Sequence, residues 1–127
     1  MDFKPRNKKL YAKAQDILSL SRYISDYLVY DLSALDENGN EDANIYFTGD
    51  IIRHSNSLAP EIIKAEMQPF QDDRMKHAHS VTCLTDRLYR TCERLEKAQS
   101  NGRDFLIILR KELKKFRRLQ HNWMMTL

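Results

Sequence analysis

At 127 residues the chain has the length of one domain, enough for a single core and too little for two. Hydrophobic residues make up 42% and charged residues 31%, the balance of a globular rather than a disordered protein. Three glycines and three prolines are too few for the many tight turns of a sandwich or barrel, and the formal net charge is +3.

The longest uninterrupted apolar run is Phe105 to Leu109, far short of the roughly 20 residues a membrane span needs, so a soluble chain without a membrane partner is expected. The basic start, Met1 to Lys9, leads into Lys13 and Asp16 rather than the apolar stretch of a secretory signal, which makes the reducing cytoplasm the expected compartment.

The first periodic segment follows Pro5 and Asn7. Leu10, Ala14, Ile17, Ser21, Ile24 and Leu28 return at alternating spacings of four and three, the seam of a bundle helix over about 7–32. Tyr11, Leu18, Leu20, Tyr23, Tyr27 and Tyr30 broaden that face, as for a helix with more than one neighbour. The stretch 35–44, with Asp36, Glu37, Asn38, Gly39, Asn40, Glu41 and Asp42, has no periodicity and reads as an exposed acidic loop.

A second helix is predicted over about 45–67, where Ile51, Ile52, Ser55, Leu58, Ile62, Ile63 and Ala65 recur at helical spacing. Pro60 removes a backbone donor and crowds the preceding turn, so this helix should kink near Ala59 or split in two. Pro69 ends it, and Asp72 or Asp73 can cap a third helix over about 72–99. There Val81, Leu84, Leu88, Leu95 and Ala98 form one line and Met75, Ala78, Thr82, Thr85, Tyr89 and Cys92 a flanking one. Ser100, Asn101 and Gly102 break the pattern, and Leu106, Leu109, Leu113, Phe116, Gln120, Trp123 and Leu127 give a fourth helix, about 103–125, the cleanest seam of the four. Short connections make neighbours antiparallel, so the expected fold is an all-α, up-down-up-down four-helix bundle.

Tests for chemistry give little. A carboxylate-bridged metal site needs inward Glu-x-x-His pairs, and the chain has none. Asp50 with His54 and Asp73 with His77 are spaced i, i+4, but they begin consecutive antiparallel helices at opposite ends of the bundle and read as ordinary surface pairs. His79 and Cys83 supply at most half of a zinc site. Cys83 and Cys92, nine residues apart on one helix, lie on opposite faces about 13 Å apart along its axis, so they cannot pair and read as core fillers. No glycine-rich phosphate loop and no nucleophile elbow are present. The expectation is therefore a non-catalytic protein without a cofactor, working by binding.

Charge is the informative irregularity. Residues 1–13 carry Lys4, Arg6, Lys8, Lys9 and Lys13 against Asp2, a net of +4, and residues 103–127 carry seven basic side chains against Asp104 and Glu112, a net of +5. Residues 14–102 are therefore −6. In the expected bundle the first helix begins where the fourth ends, which gathers Lys8 and Lys9 with Arg110, Lys111, Lys114, Lys115, Arg117 and Arg118. Arg110, Lys114, Arg117 and His121 make one stripe, and Lys111, Lys115 and Arg118 the next. Such a cluster is either a solvated face that complements a helix C-terminus or a surface that contacts phosphates.

The chain resembles the small four-helix proteins encoded in intervening sequences of bacterial 23S ribosomal RNA genes and their relatives, the accessory variability determinant proteins of diversity-generating retroelements. The similarity rests on Tyr11, Ala12, Lys13, Ala14 and Ile17, on Thr48, Ile51, Arg53, Ser57, Leu58 and Ile62, on the leucine-rich third helix ending at Leu95 and Ala98, and on Trp123 near the C-terminus. Ala59 separates Leu58 from Pro60 where the family usually has proline directly after the corresponding pair, and the acidic loop is longer than the family's usual first connection. The resemblance implies a homo-oligomeric ring, a pentamer, with basic surfaces that contact RNA or DNA. In the second branch it implies an adaptor for a reverse transcriptase, so a scaffold or protein adaptor without nucleic-acid affinity is the alternative. The resemblance carries over no catalytic residue.

Overall fold

The computed structural model describes residues 4–33, 35, 37–40, 42, 44–97 and 102–127, with the backbone alone at 31. Four helices, α1 (Lys8–Leu32), α2 (Ile45–Met67), α3 (Gln71–Glu96) and α4 (Arg103–Met124), hold 83% of these residues, beyond the two thirds or so that the four seams imply. They form a ring in which α1 packs on α2, α2 on α3, α3 on α4 and α4 on α1. Cross-helix pairs run in opposite directions at every junction: Ser21 with Ser55 and Ser25 with Thr48, His77 with Glu61 and Arg94 with Phe47, Arg110 with Glu96 and Arg117 with Asp86, Lys13 with Glu112 and Tyr27 with Phe105. The all-α antiparallel bundle is as expected.

Local chemistry fixes the ends. Asn7 is extended, and its side-chain oxygen accepts the Leu10 N–H at 3.0 Å, an N-cap bond that satisfies one otherwise unpaired donor. Neither Asp72 nor Asp73 caps α3. Pro69 ends α2 early enough for an extended Phe70 to start the helix, which leaves both aspartates in the first turn, where they complement the positive end of the helix dipole. α3 ends at Glu96 rather than 99; Ala98, Gln99, Ser100 and Asn101 lie outside the described residues, as do Asp36 and Glu41 of the acidic loop. Within that loop Glu37, Asn38 and Asn40 are exposed and Gly39 takes φ +78°, a conformation that favours glycine.

α2 runs through Pro60 as one helix rather than two. Pro60 and Asn56 are both exposed, so the turn in which the proline removes a backbone donor lies on the outer face of the helix.

Most of the predicted seam positions form the core, while Ile52, Ile63, Met75, Thr82, Leu84 and Tyr89 are only half-buried at its edge. Leu10, Ala14, Ile17, Ile24 and Leu28, then Ile51, Leu58, Ile62 and Ala65, then Ala78, Val81, Leu88, Cys92 and Leu95, then Leu106, Leu109, Leu113, Phe116 and Trp123 are all essentially inaccessible. Each large side chain removed from water contributes about 1.5–3 kcal/mol. The polar seam positions are satisfied: the Ser21 and Ser55 hydroxyls pair at 2.7 Å, Ser25 donates to the Thr48 carbonyl at 3.0 Å, and the Gln120 amide donates to the Thr82 hydroxyl. Cys92 is buried, which pushes its thiol up to about 12, but Cys83 is exposed and fills no core position.

One end of the bundle is tied by two side chains that helical periodicity does not reveal. The Glu66 carboxylate accepts the Arg6 backbone N–H at 2.9 and 3.1 Å and the Trp123 indole N–H at 3.2 Å, joining the entry to α1, the end of α2 and the end of α4. Arg74 donates to the carbonyls of Gln68 (3.1 Å), Pro69 (2.9 Å) and Leu127 (3.3 Å), so it pins the α2–α3 turn to the C-terminus. At the other end Gly102 opens α4 directly beneath α1, and a Cβ there would lie 2.6 Å from Leu28 Cδ2 and 3.2 Å from Tyr27 Cδ1.

This packing sets the cost of two substitutions. Trp123→Ala removes a buried ring and the indole N–H to Glu66 together, and should cost about 3–5 kcal/mol of a total of about 5–15; an unchanged denaturation midpoint would place the ring outside the core. Gly102→Ala has no backbone penalty at φ −80°, but must displace the wholly buried Leu28. It should destabilise by about 1–3 kcal/mol, whereas a gain in melting temperature would show that α1 and α4 can separate there at no cost.

Candidate nucleic-acid interface

α4 turns its seam inward and so presents Lys111, Lys114, Lys115 and Arg118 to solvent, with His121 and Asn122 beyond them. Lys111, Lys114 and Arg118 make no ion pair among the described residues, and Lys115 makes a surface pair with Glu112 at 3.2 Å. Glu112 also accepts from Lys13 of α1 at 2.7 Å, and the two lysines hold its carboxyl below the usual carboxylate range. Lys8 and Lys9 are exposed in the first turn of α1, at the end where α4 finishes.

The expected stripe of Arg110, Lys114, Arg117 and His121 divides. Arg110 and Arg117 lie on the edge of α4 that faces α3, two turns apart, and both reach across the junction. Arg110 bonds Glu96 at 3.0 Å and the Tyr89 hydroxyl at 3.5 Å, while Arg117 bonds Asp86 at 2.8 Å and stacks on the Tyr89 ring at 4.5 Å. The Arg110 hydrogen bond lowers the Tyr89 hydroxyl's pKa, and bonds to Tyr89 and Glu96 raise that of the guanidinium. These two arginines hold α4 to α3, with their charge largely matched by carboxylates; Lys114 remains available to an outside partner.

A second basic strip does not show in segment charges. Arg87, Arg90 and Arg94 on α3 and Lys97 at its C-cap are all exposed, and none makes an ion pair among the described residues. Arg94 lies 4.2 Å over the Phe47 ring of α2. Near them a cavity of about 510 Å³ is lined by Asn44, Arg90, Glu93, Arg94 and Lys97. The net −6 of residues 14–102 conceals this strip because acidic side chains of α1 and of the loop after it are counted with it. A window of one helix face would have revealed it.

The spaced acid–histidine pairs do not form. Asp50 bonds Arg53, and His54 is half-buried, with its pKa lowered by that burial and then by Arg53, against an opposing effect of Asp50. His77 meets Glu61 across the α2–α3 junction at 3.1 Å, while Asp73 faces Lys76 at 4.0 Å. His79 and exposed Cys83 line an open groove of about 430 Å³ with Ser57, Glu61 and Lys76. Among the described residues no three His, Cys, Asp or Glu side chains are placed to hold a metal ion together.

The tyrosines assigned to the broad face of the first helix are only partly in the chain's own core. Tyr11 is half-buried, but Tyr23 is 59% and Tyr30 87% exposed. Tyr23 and Tyr27 each pack against Phe105 at 5.6 Å between ring centres, and Ile108, 47% exposed, lies one turn farther along α4. This apolar strip follows the α1–α4 groove, the least extensive of the four helix junctions. No described helix is long and apolar enough to cross a membrane. Comparisons with protein-family models, with curated proteins and with solved structures find no match to the chain.

Proposed function

We propose that this chain is a non-catalytic, cytoplasmic accessory protein that binds RNA or DNA through the outer face of α4 and acts as a homo-oligomer. The observation that carries the reading is that Lys111, Lys114 and Arg118 project from one helix face with no carboxylate partner among the described residues, next to Lys115. Cations in that state exchange counterions for phosphates at little cost, which is the basis of sequence-tolerant binding. Lys8 and Lys9 extend the face at the same end, whereas Arg110 and Arg117 serve chiefly to position α4. The resemblance to the ribosomal intervening-sequence and retroelement accessory proteins supports the same reading and suggests a five-fold ring, which would repeat the basic face around an axis.

Replacing Lys111, Lys114 and Arg118 by Gln should leave the circular dichroism spectrum unchanged, since none of the three supports another helix through an ion pair. Affinity for both single- and double-stranded nucleic acid should fall, and the slope of log K against log salt should shrink by about 0.7–0.9 for each phosphate-bound cation removed. Absence of any binding by the wild-type chain at about 50 mM salt, where phosphate binding is strong, would refute the reading.

The second reading, a scaffold or protein adaptor, is favoured by the exposed strip of Tyr23, Tyr27, Tyr30 and Ile108, because aromatic side chains are enriched in interfaces and large apolar patches on monomers are uncommon. Self-association through that strip serves both readings. Light scattering should report a multiple of 15.1 kDa, reduced by Tyr23→Asp with Ile108→Asp at unchanged helix content. A wild-type monomer at micromolar concentration would remove the oligomer from both.

A further inference from the structure

Arg90 and Arg94 on α3 and Lys97 at its helical C-cap are spaced by four and three, so the helix places them along one edge. They line the cavity of about 510 Å³ at the loop end of the bundle, together with Glu93 of the same helix and Asn44 at the start of α2. Two features favour an anion in this cavity. Like Lys111, Lys114 and Arg118 of α4, and unlike Arg53, Arg110 and Arg117, none of the three cations has a carboxylate within 4.0 Å among the described residues, although Glu93 lies in the same lining.

Arg94 is held by its face. Its guanidinium stacks 4.2 Å over Phe47, an arrangement that uses the π surface of the cation and leaves the in-plane N–H groups free to donate. α2 begins at the cavity, but the Asp42 carboxylate accepts both the Asn44 backbone N–H at 2.8 Å and its side-chain N–H at 3.0 Å, so that end of the helix already faces an acid and the field in the cavity is that of the three side chains.

We infer that this cavity is a binding site for a phosphate group, held by Arg90, Arg94 and Lys97 at the start of α2. Arginine edges match the tetrahedral array of phosphate oxygens with paired donors, and lysine adds a point charge. The cavity is open and larger than one phosphate requires, which suits a phosphate carried on a larger molecule, either a nucleic-acid backbone or a small phosphorylated metabolite. The site lies on α3 and α2 and does not depend on the α4 face.

The test is a titration of the isotope-labelled chain with pyrophosphate, followed by amide resonances. Saturable shifts are expected at 44–48 and 90–97, with no comparable shifts on adding chloride to the same ionic strength. They should disappear in Arg90→Gln with Arg94→Gln, and weaken in Arg90→Gln with Lys97→Gln, a pair that leaves the Phe47 stack in place. Replacing Lys111, Lys114 and Arg118 should leave them unaltered, which separates this site from the α4 face. Shifts that do not saturate, or that survive in both variants, overturn the site. A short oligothymidylate then identifies the source: displacement of pyrophosphate from these amides, with a salt slope smaller by about 0.7 per cation removed, assigns a nucleic-acid phosphodiester, and retention of pyrophosphate assigns a small phosphorylated ligand.

Discussion

A helix with one apolar stripe stays folded in water only while neighbours cover the stripe, and all four helices here are of that kind. With three residues between α2 and α3, those helices have to return alongside each other, and the ring closes when α4 packs on α1. Both ends of the bundle carry chemistry that holds this closure. Glu66 gathers donors from the entry to α1 and from Trp123, while Gly102 admits the start of α4 against Leu28 where any side chain would collide. The small polar seam residues Ser21 and Ser55 pair with each other, so α1 and α2 can meet there without leaving a buried hydroxyl unsatisfied.

That architecture sorts the charges into two populations. At three places a basic side chain at a junction meets a carboxylate from the adjacent helix: Lys13 with Glu112, Arg110 with Glu96 and Arg117 with Asp86. Partly exposed pairs of this type contribute only about 0–1 kcal/mol each to stability, so their role is to fix which edge of α4 faces α3 and which faces α1. Cations on the outer faces of α3 and α4 are left without such partners among the described residues. The proposed binding functions draw on this second population.

The exposed apolar strip adds a different property. Tyr23, Tyr27 and Ile108 lie along the α1–α4 groove, whereas the basic side chains of α3 project from another helix of the ring. An assembly formed through the strip would leave the α3 strip uncovered. In the proposed scheme α4 therefore serves both association, through Ile108, and phosphate contact, through Lys111, Lys114 and Arg118, while the α3 cations stand apart from the strip.

The sequence by itself determined the helices and the core: period-3.6 patterning predicts the bounds of α2 and every buried apolar position of α4, because burial of a stripe is a local, repeating demand that each residue's polarity records. It also determined that residues 1–13 and 103–127 concentrate positive charge. Only the tertiary structure decided which of those charges are free, since Arg110 and Lys114 are equivalent in composition and separate only when Glu96 arrives from another helix. The same holds for Cys83, whose apolar character is compatible with a core that happens to lie on the other side of α3, and for Tyr23 and Tyr30, wide of a seam that the neighbouring helices cover only in part. The α3 cations escaped a reading by segments because the segment total counts them with the acidic side chains of α1 and of the loop after it. Pairing is a property of distances between helices, and periodicity within one helix contains no term for them.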